Sequence, residues 1–320
     1  MEQGDSEIMS IPRYISAEDA DRVLTWPGLV AALKQAHLTP APTIADQHLK
    51  MDQGGMLNRV AWIPGLGVGL KTVSVFPGNP SRPDPLPTVQ GVFVLFDDQD
   101  GQVRALIDGA TLTRWKTVAD SLLGASLLAR PESETLLLVG AGTIATTLAQ
   151  AYPTLFPSIK RLLVWNRTHA NAEKLARQLG GTAIESLEEG VRQADIISSA
   201  TVSVEPIIQG AWLQPGTHLD LIGAYRPDMR EADDQATQVS RVFVDSRKTT
   251  LGEIGELIKP IESGAITEAD VLADLYDLVR GAPGRLNDQD ITLYKNGGGA
   301  HLDLMTAQYL LEQVSNQGGR

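Results

Sequence analysis

The fold is decided by LLLVGAGTIATTLAQ, residues 136–150. Its first four residues are all apolar, which suits a strand covered on both faces within a parallel sheet. Gly140 permits the sharp turn that follows, and Gly142 lets a pyrophosphate approach the backbone. A helix then begins, and its free N–H groups can bind phosphate. This order predicts a dinucleotide-binding unit whose cofactor-binding residues include Gly140, Gly142, Thr143, Ile144 and the small, helix-packing Ala145.

The next predicted strand, residues 161–165, ends in Asn166, Arg167 and Thr168. An NAD site usually has Asp or Glu here, which accepts a hydrogen bond from the ribose 2'-hydroxyl and repels a 2'-phosphate. This chain has no carboxylate at that point, whereas Arg167 can pair with a phosphate and its two neighbours can donate hydrogen bonds. We therefore expect NADP(H) as the cofactor. The alternative is that Arg167 simply points into solvent.

Strand and helix patterns alternate through the middle of the chain, as a doubly wound sheet requires. The segment before residue 112 instead contains strands joined by hairpin-like turns. We expect an α/β protein with a Rossmann-type doubly wound parallel sheet at 113–295, plus a split α+β domain made of residues 1–112 and 296–320. Two local predictions are a disordered leader at residues 1 to about 10 and a solvent-facing acidic helix at 268–277.

Composition excludes several classes of function. The 320 residues carry 27 basic and 39 acidic side chains, a formal charge of -12, which argues against nucleic acid or an anionic membrane as a partner. The absence of cysteine excludes disulfides and thiolate chemistry, and the five histidines lack metal-ligand spacing, so we expect no metal site. No apolar run is long enough to span a bilayer, and we expect a cytoplasmic enzyme.

Several polar residues stand in unusual places. Lys71 lies within a predicted strand, either facing a cleft or, more simply, facing solvent. Gln90 is an amide among apolar neighbours, with the same ambiguity. Lys116 lies on the helix that enters the nucleotide domain. Thr201 and Lys295 stand at predicted strand ends, where a cofactor can approach the backbone.

The chain resembles the ornithine cyclodeaminase and mu-crystallin family over nearly its whole length. The matching motifs, in order, are VGLKTVSVFPGN, LPTVQG, ALIDGATLTRWKTVADSLLGA, LLLVGAG, WNRTHANAEKLA, IGAYRPDMREAD, VFVDS and LYKNGGGAHLD. The resemblance implies a homodimer in which the split domain carries dimerisation and substrate contacts while the Rossmann domain holds a nicotinamide cofactor. WNRT followed by Asn171 is similar to the NADPH-binding form, which agrees with the charge argument.

Carried onto this sequence, the resemblance implies that Lys71 is catalytic and contacts substrate, and that Gln90 lies beside the nicotinamide. The family usually has Arg-Thr for the substrate carboxylate, where this chain has Lys116 and Thr117. Lysine supplies a positive charge but cannot form the bidentate hydrogen bonds that arginine makes to a carboxylate. Arg59 is the nearest counterpart of a further family arginine.

One difference from the family pattern indicates which branch of the family the chain resembles. Cyclodeaminases place an aspartate where this chain has Tyr225, and a tyrosine hydroxyl is a poor base at neutral pH. The stretch is similar to the ketimine-reducing branch, which implies NADPH-dependent reduction of 1-pyrroline-2-carboxylate or 1-piperideine-2-carboxylate to L-proline or L-pipecolate. Lys71, Lys116 and Arg59 would hold the carboxylate, and Lys71 would also relay a proton to the ring nitrogen if burial lowers its pKa. The alternatives are an ornithine or lysine cyclodeaminase and an NADPH-dependent binding protein for small ligands.

Overall fold

The computed structural model describes residues 12–318, so the leader expected at residues 1–10 lies outside the described residues. The strands in the described range are β1 (Arg13–Ile15), β2 (Thr43–Met51), β3 (Gly54–Ile63), β4 (Gly67–Val75), β5 (Val89–Phe96), β6 (Val103–Asp108), β7 (Thr135–Val139), β8 (Arg161–Trp165), β9 (Thr182–Ala183), β10 (Ile196–Ser199), β11 (His218–Leu221), β12 (Arg241–Val244), β13 (Val271–Asp274) and β14 (Thr292–Lys295). The helices are α1 (Ala17–Val23), α2 (Trp26–Ala36), α3 (Gly109–Leu128), α4 (Thr143–Leu155), α5 (His169–Leu179), α6 (Leu187–Gln193), α7 (Asp234–Val239), α8 (Arg247–Thr250), α9 (Gly255–Glu262), α10 (Leu275–Val279) and α11 (Ala300–Gly318).

The strands before residue 109 form one sheet in the order β1-β6-β5-β4-β3-β2. Strands β2 to β6 pair antiparallel with their sequence neighbours, and β1 adds to the edge in parallel. Alternate residues therefore face opposite sides of the sheet. On the inner side, Phe93, Leu95 and Ile107 are buried in the core together with residues of α2, α3 and α11.

The second sheet has eight parallel strands in the order β13-β12-β14-β11-β10-β7-β8-β9. Chain order reverses direction at β7, because β8 and β9 lie on one side of it and β10 and β11 on the other. Every residue of β7 is buried, as expected of a strand covered by helices on both faces. The predicted Rossmann-type sheet is confirmed, and the antiparallel first sheet with its helices supplies the α+β part.

Helix α3 connects the two sheets. It begins directly after β6, caps its first turn with Asp108, and then packs against α4 and against strands of both sheets. Helix α11 follows the last parallel strand and returns to the first sheet, where it contacts β3, β4 and β5. The domain limits at residues 112 and 296 stay a prediction. No helix in residues 12–318 is both long enough and apolar enough to cross a membrane.

The acidic stretch 268–277 differs from its prediction. It forms a short 3-10 turn (Glu268–Asp270), then the edge strand β13, then α10. Val271 and Ala273 are buried while Leu272 between them is 44% exposed, so the residues alternate with the period of a strand. Pairing with β12 outweighs the helical tendency of the local sequence.

Candidate functional site

The turn after β7 opens a groove at the carboxyl edge of the parallel sheet. Gly140 has a φ of +117°, and a Cβ there would approach the Ala200 carbonyl oxygen to 2.8 Å, so only glycine fits. A Cβ at Gly142 would meet no atom within 4 Å and would project into open space. The groove encloses about 340 Å³. Glycine thus keeps the backbone accessible at this point.

The residues along the groove match those predicted from the sequence, although their ligand contacts remain a prediction. It is lined by Gly140, Gly142, Asn166, Arg167, Thr168, Asn171 and Thr201. An adjoining recess of about 510 Å³ is lined by Thr143 and Lys174, and Asn171 lines both cavities. No acidic side chain lines either cavity among the described residues, so the charge of this surface favours an anionic ligand.

The start of α4 fits the phosphates of a dinucleotide. Its first N–H groups receive no side-chain cap, since Gly142 stands at the cap position. These donors and the helix dipole favour an anion here. The side chains of two predicted residues in this turn pack against the protein interior. Ala145 is 1% exposed and packs with Val164 and Leu175, and Ile144 packs against the main core.

A buried carboxylate fixes the far wall of the groove. Glu231 Oε1 accepts hydrogen bonds from the Ser199 hydroxyl (2.7 Å), the Thr201 amide (2.8 Å) and the Thr201 hydroxyl (2.7 Å). Its Oε2 accepts from the Gly223 amide at 2.6 Å. One side chain therefore holds the segments that follow β10 and β11. Glu256 in turn accepts from the Glu231 amide at 2.8 Å, and burial raises the pKa of Glu256 to about 7.

Two predicted cations lie side by side on the inner face of the first sheet. Arg59 on β3 is the register partner of Lys71 on β4, and residues directly opposite each other share one face. Lys71 is 8% exposed, so the solvent-facing alternative is wrong. Its Nζ donates to Thr113 Oγ1 (2.6 Å) and to Asp303 Oδ1 (3.2 Å). Arg59 Nε donates to Asp46 Oδ2 at 2.9 Å.

Lys116 joins this pair from α3. It is 6% exposed, and a Cβ at Gly298 would lie 2.5 Å from its Nζ. Burial lowers the pKa of Lys116, Asp303 opposes that effect, and the positive charges of Lys71 and Arg59 add to it. The three cations therefore form one cluster, which we call the cationic cluster: Arg59, Lys71 and Lys116.

The loop after β14 brings the parallel sheet to the cationic cluster. Asp245 Oδ2 accepts hydrogen bonds from the amides of Gly297 (3.1 Å) and Gly298 (2.6 Å). Gly298 has a φ of +70° and touches Lys116, so a side chain there would be strained and obstructed. Burial raises the pKa of Asp245 to about 6. The cationic cluster thus lies beside the carboxyl end of β14, on the same sheet edge as the groove.

Two predicted site residues do not join this arrangement. Gln90 pairs with Ser74, three register positions from the pair of Lys71 and Phe93, and this odd offset puts it on the opposite face of the sheet, where it is exposed. The side chain of Lys295 has no exposed surface, and its Nζ donates to the Leu221 carbonyl oxygen at 2.9 Å. Lys295 therefore neutralises buried carboxylates beneath the groove, and both positions correct the sequence interpretation.

Sequence reasoning missed four residues that hold the site together. Thr113 and Asp303 fix Lys71, while Glu231 and Asp245 fix the loops. All four lie within motifs that carry the family resemblance, but no local pattern distinguishes them from capping or surface residues. Their partners are distant in sequence, 232 residues away in the case of Asp303 and Lys71, and only the fold brings them together.

Comparison with known proteins agrees with this geometry. The profile described as "Ornithine cyclodeaminase/mu-crystallin family" matches residues 63–318. The chain belongs to this family. A family relative, the Delta(1)-pyrroline-2-carboxylate reductase of Paracoccus denitrificans, is 52% identical over 307 residues, which cover 94% of this chain and 96% of the relative.

Two solved structures share the whole fold. The Delta(1)-pyrroline-2-carboxylate reductase of Thermococcus litoralis, solved with NADH and L-proline, superposes with a TM-score of 0.87 at 28% identity and covers 96% of this chain and 98% of its own. An archaeal alanine dehydrogenase dimer with bound NAD has a TM-score of 0.86 at 25% identity, covering 96% of this chain and 97% of its own. The ornithine cyclodeaminase/mu-crystallin assignment expected from the motifs is therefore confirmed.

Replacing Glu231 by glutamine tests its structural role. Four donor groups converge on this carboxylate, and the amide nitrogen of glutamine cannot accept any of their hydrogen bonds. Leaving buried donors without an acceptor should lower the free energy of unfolding by about 1–3 kcal/mol in urea denaturation. The exposed Glu262→Gln variant is the matched control and should change stability little. Equal stability of the two variants would contradict the role assigned to Glu231.

Proposed function

We propose that this chain reduces the cyclic ketimine acids 1-pyrroline-2-carboxylate and 1-piperideine-2-carboxylate to L-proline and L-pipecolate, with NADPH as the preferred reductant. It is then an oxidoreductase that acts on a carbon–nitrogen double bond. The observation that carries the proposal is the position of the cationic cluster at the carboxyl edge of the sheet, beside a groove suited to a dinucleotide. We further expect the enzyme to work in the cytoplasm.

The cationic cluster suits a small monocarboxylate. Its three positive charges face two nearby carboxylates, Asp46 paired with Arg59 and Asp303 paired with Lys71. These two ion pairs leave Lys116 as the one cation of the cluster without an ion-pair partner in the described residues, and the low exposure of Lys71 and Lys116 strengthens charge-assisted hydrogen bonds to a substrate anion there. The relatives support the same chemistry, since one is named for reducing pyrroline-2-carboxylate and another was solved with L-proline.

In the proposed reaction the protein mainly binds and orients the substrate and performs little acid–base chemistry. The reduced nicotinamide, when bound, supplies the hydride. The chain itself must grip the carboxylate, keep the imine carbon facing the groove and limit water access. Thr113 and Asp303 hold the Lys71 ammonium in one orientation, so it meets the substrate already positioned. Asp245 holds the glycine loop that separates Lys116 from the sheet edge.

The preference for NADPH is the finer part of the proposal, because the two solved neighbours contain NADH and NAD. It is supported by Arg167, which lines the groove, is exposed and makes no ion pair within residues 12–318. Asn166, Thr168 and Asn171 line the same cavity and can donate hydrogen bonds to a phosphate. Lys174 adds a second positive charge on the side of the adjoining recess.

The direct test is NADPH oxidation with each cyclic imine, and a Lys71→Ala variant sharpens it. Loss of the fixed cation removes a charge-assisted grip on the carboxylate, so kcat/KM should fall by roughly 100-fold or more. Lys34→Ala, an exposed lysine on α2, is the control and should retain the native rate. The role of Lys71 is wrong if its variant matches the control, and the proposed activity is wrong if the native chain oxidises NADPH with neither imine.

The assignment of Arg167 is tested by measuring both cofactors on one variant. Arg167→Ala should raise KM for NADPH about 10-fold or more, because an ion pair with the 2'-phosphate is lost, and leave KM for NADH nearly unchanged. Arg177→Ala, an exposed arginine on the same helix as Lys174, serves as the control. Equal effects on the two cofactors would remove the argument for a 2'-phosphate site.

We also propose that the chain is a homodimer joined through the outer face of the first sheet. This face presents Leu49, Met56, Val60, Trp62 and Leu70, of which Leu49 is 57% and Trp62 45% exposed. An apolar area of this extent on a sheet favours a covered surface. The archaeal alanine dehydrogenase neighbour, described as a dimer, supports the same assembly.

A charge placed in the middle of this face should prevent assembly. Leu70→Asp on the central strand β4 would bury a carboxylate at the interface, so its mass in light scattering should be that of one 34.4 kDa chain, whereas the native protein should show twice that mass. Val239→Asp places the same charge at another exposed apolar residue, 42% exposed at the end of α7, and should stay dimeric. A dimeric Leu70→Asp protein would rule out this face.

A further inference from the structure

The two lysines of the cationic cluster differ in the hydrogen-bond partners of their ammonium groups. Lys71 Nζ already donates to the Thr113 hydroxyl and to the Asp303 carboxylate. Lys116 Nζ takes part in none of the hydrogen bonds or ion pairs found in the described part of the chain. Lys116 is 6% exposed, so its ammonium has lost most of its contact with water and has gained no acceptor from the protein, which is unfavourable. Lys116 is thus free to donate to a ligand, while Lys71 has used two of its three donors and has one left for a substrate carboxylate.

The charges around Lys116 come from every neighbouring element. Asp303 on α11 and Asp120, one turn further along α3, are the nearby carboxyl groups, and burial raises the pKa of Asp120 well above its ordinary value, whereas Lys71 and Arg59 on the first sheet are positive. Asp245, at the end of β12, reaches the other side of the glycine loop that touches Lys116. The negative groups do not compensate for burial, and the pKa of Lys116 is lowered from its ordinary value of 10.5.

We propose that Lys116 is the general acid of the reaction and donates a proton to the imine nitrogen, while Lys71 and Arg59 retain the carboxylate. This inference rests on the proposed function and adds the identity of the proton donor. A cation that is buried, unpartnered and next to the substrate carboxylate can deliver its proton over a short distance. An arginine at the same place would keep its charge and could not release a proton at neutral pH.

The step balances with the reduced nicotinamide as the reductant. The hydride adds to carbon 2 of the ring and brings both electrons, so the nicotinamide is oxidised and the imine carbon reduced. The electron pair of the carbon–nitrogen π bond moves to nitrogen, which forms a new bond to a proton from Lys116 Nζ. Lys116 is left as a neutral amine and regains a proton from solvent before the next turnover.

The conservative substitution Lys116→Arg separates proton transfer from charge. Affinity for pyrrole-2-carboxylate, a planar analogue, should stay within about threefold of native in calorimetry, because the positive charge remains. In turnover kcat should fall by roughly 100-fold or more, while KM for the imine changes little. Lys160→Arg, an exposed lysine paired with Glu134, is the control for the substitution itself.

The pH profile gives a second readout. Native kcat should decline as the pH rises through the lowered pKa of Lys116, because the neutral amine has no proton to give. This alkaline limb should be absent in Lys116→Arg. A variant that keeps the native kcat and the native alkaline limb overturns the proposal. A variant that mainly loses affinity for pyrrole-2-carboxylate also overturns it, since Lys116 would then only bind the carboxylate.

A measurement on the native protein makes the proposal independent of how the variant folds. Binding of pyrrole-2-carboxylate should be accompanied by proton uptake at a pH above the pKa of free Lys116, because a bound anion favours the charged lysine. Calorimetry in buffers of different ionisation enthalpy measures this uptake. Its absence throughout pH 6 to 10 would overturn the assignment. A native enzyme that binds the analogue with proton uptake but reduces neither imine would instead refute only the proposed function.

Discussion

The ion pair between Lys71 and Asp303 is the contact on which the site depends. It joins β4 of the first sheet to the first turn of α11, across 232 residues of sequence, and both side chains are almost wholly buried. Removing one member of this pair would leave the other charge buried without its partner, so neither residue can be changed alone without a large loss of stability. The same pair keeps the last helix on the first sheet and points the Lys71 ammonium at the start of α3.

Helix α3 connects the Lys71–Asp303 ion pair to the parallel sheet that carries the dinucleotide groove. Thr113, the fifth residue of this helix, accepts a hydrogen bond from Lys71, and Lys116 lies one turn further along. Beyond them Ser121 donates to the buried Asp220 at 2.9 Å, which anchors the helix to the parallel sheet. Because one helix contacts both sheets, the cationic cluster and the dinucleotide groove keep a fixed relation. That relation is what a hydride transfer between two bound molecules requires.

The parallel sheet has an unusual concentration of buried charge at its carboxyl edge. Asp220, Asp245, Glu231 and Glu256 have little or no exposed surface, and Lys295 lies among them. These groups do not contact the groove space themselves. Asp245, Glu231 and Glu256 accept hydrogen bonds from backbone amides of the loops, including the Thr201 and Gly298 amides, whereas Asp220 accepts from the hydroxyls of Ser121, Tyr152 and Ser198. These buried polar side chains thereby fix the loops at the carboxyl edge of the parallel sheet.

The sequence by itself determined the parts that depend on local pattern. The apolar run and glycines of 136–150 gave the groove, the polar end of β8 gave its charge, and the motifs gave the family. Each signal rests on the conformational freedom of glycine, the period of buried residues or the chemistry of one side chain, and all of these act over a few residues.

Tertiary structure decided which polar residues work together. Gln90 and Lys71 look alike as isolated polar residues in strands, yet the register between β4 and β5 puts them on opposite faces. Lys295 stands at a strand end as predicted, but its side chain turns inward because buried carboxylates need a counter-charge. The middle of the acidic stretch, Val271–Asp274, became a strand because β12 offered a pairing edge. These outcomes depend on partners far away in sequence, and a local pattern contains no information about such partners.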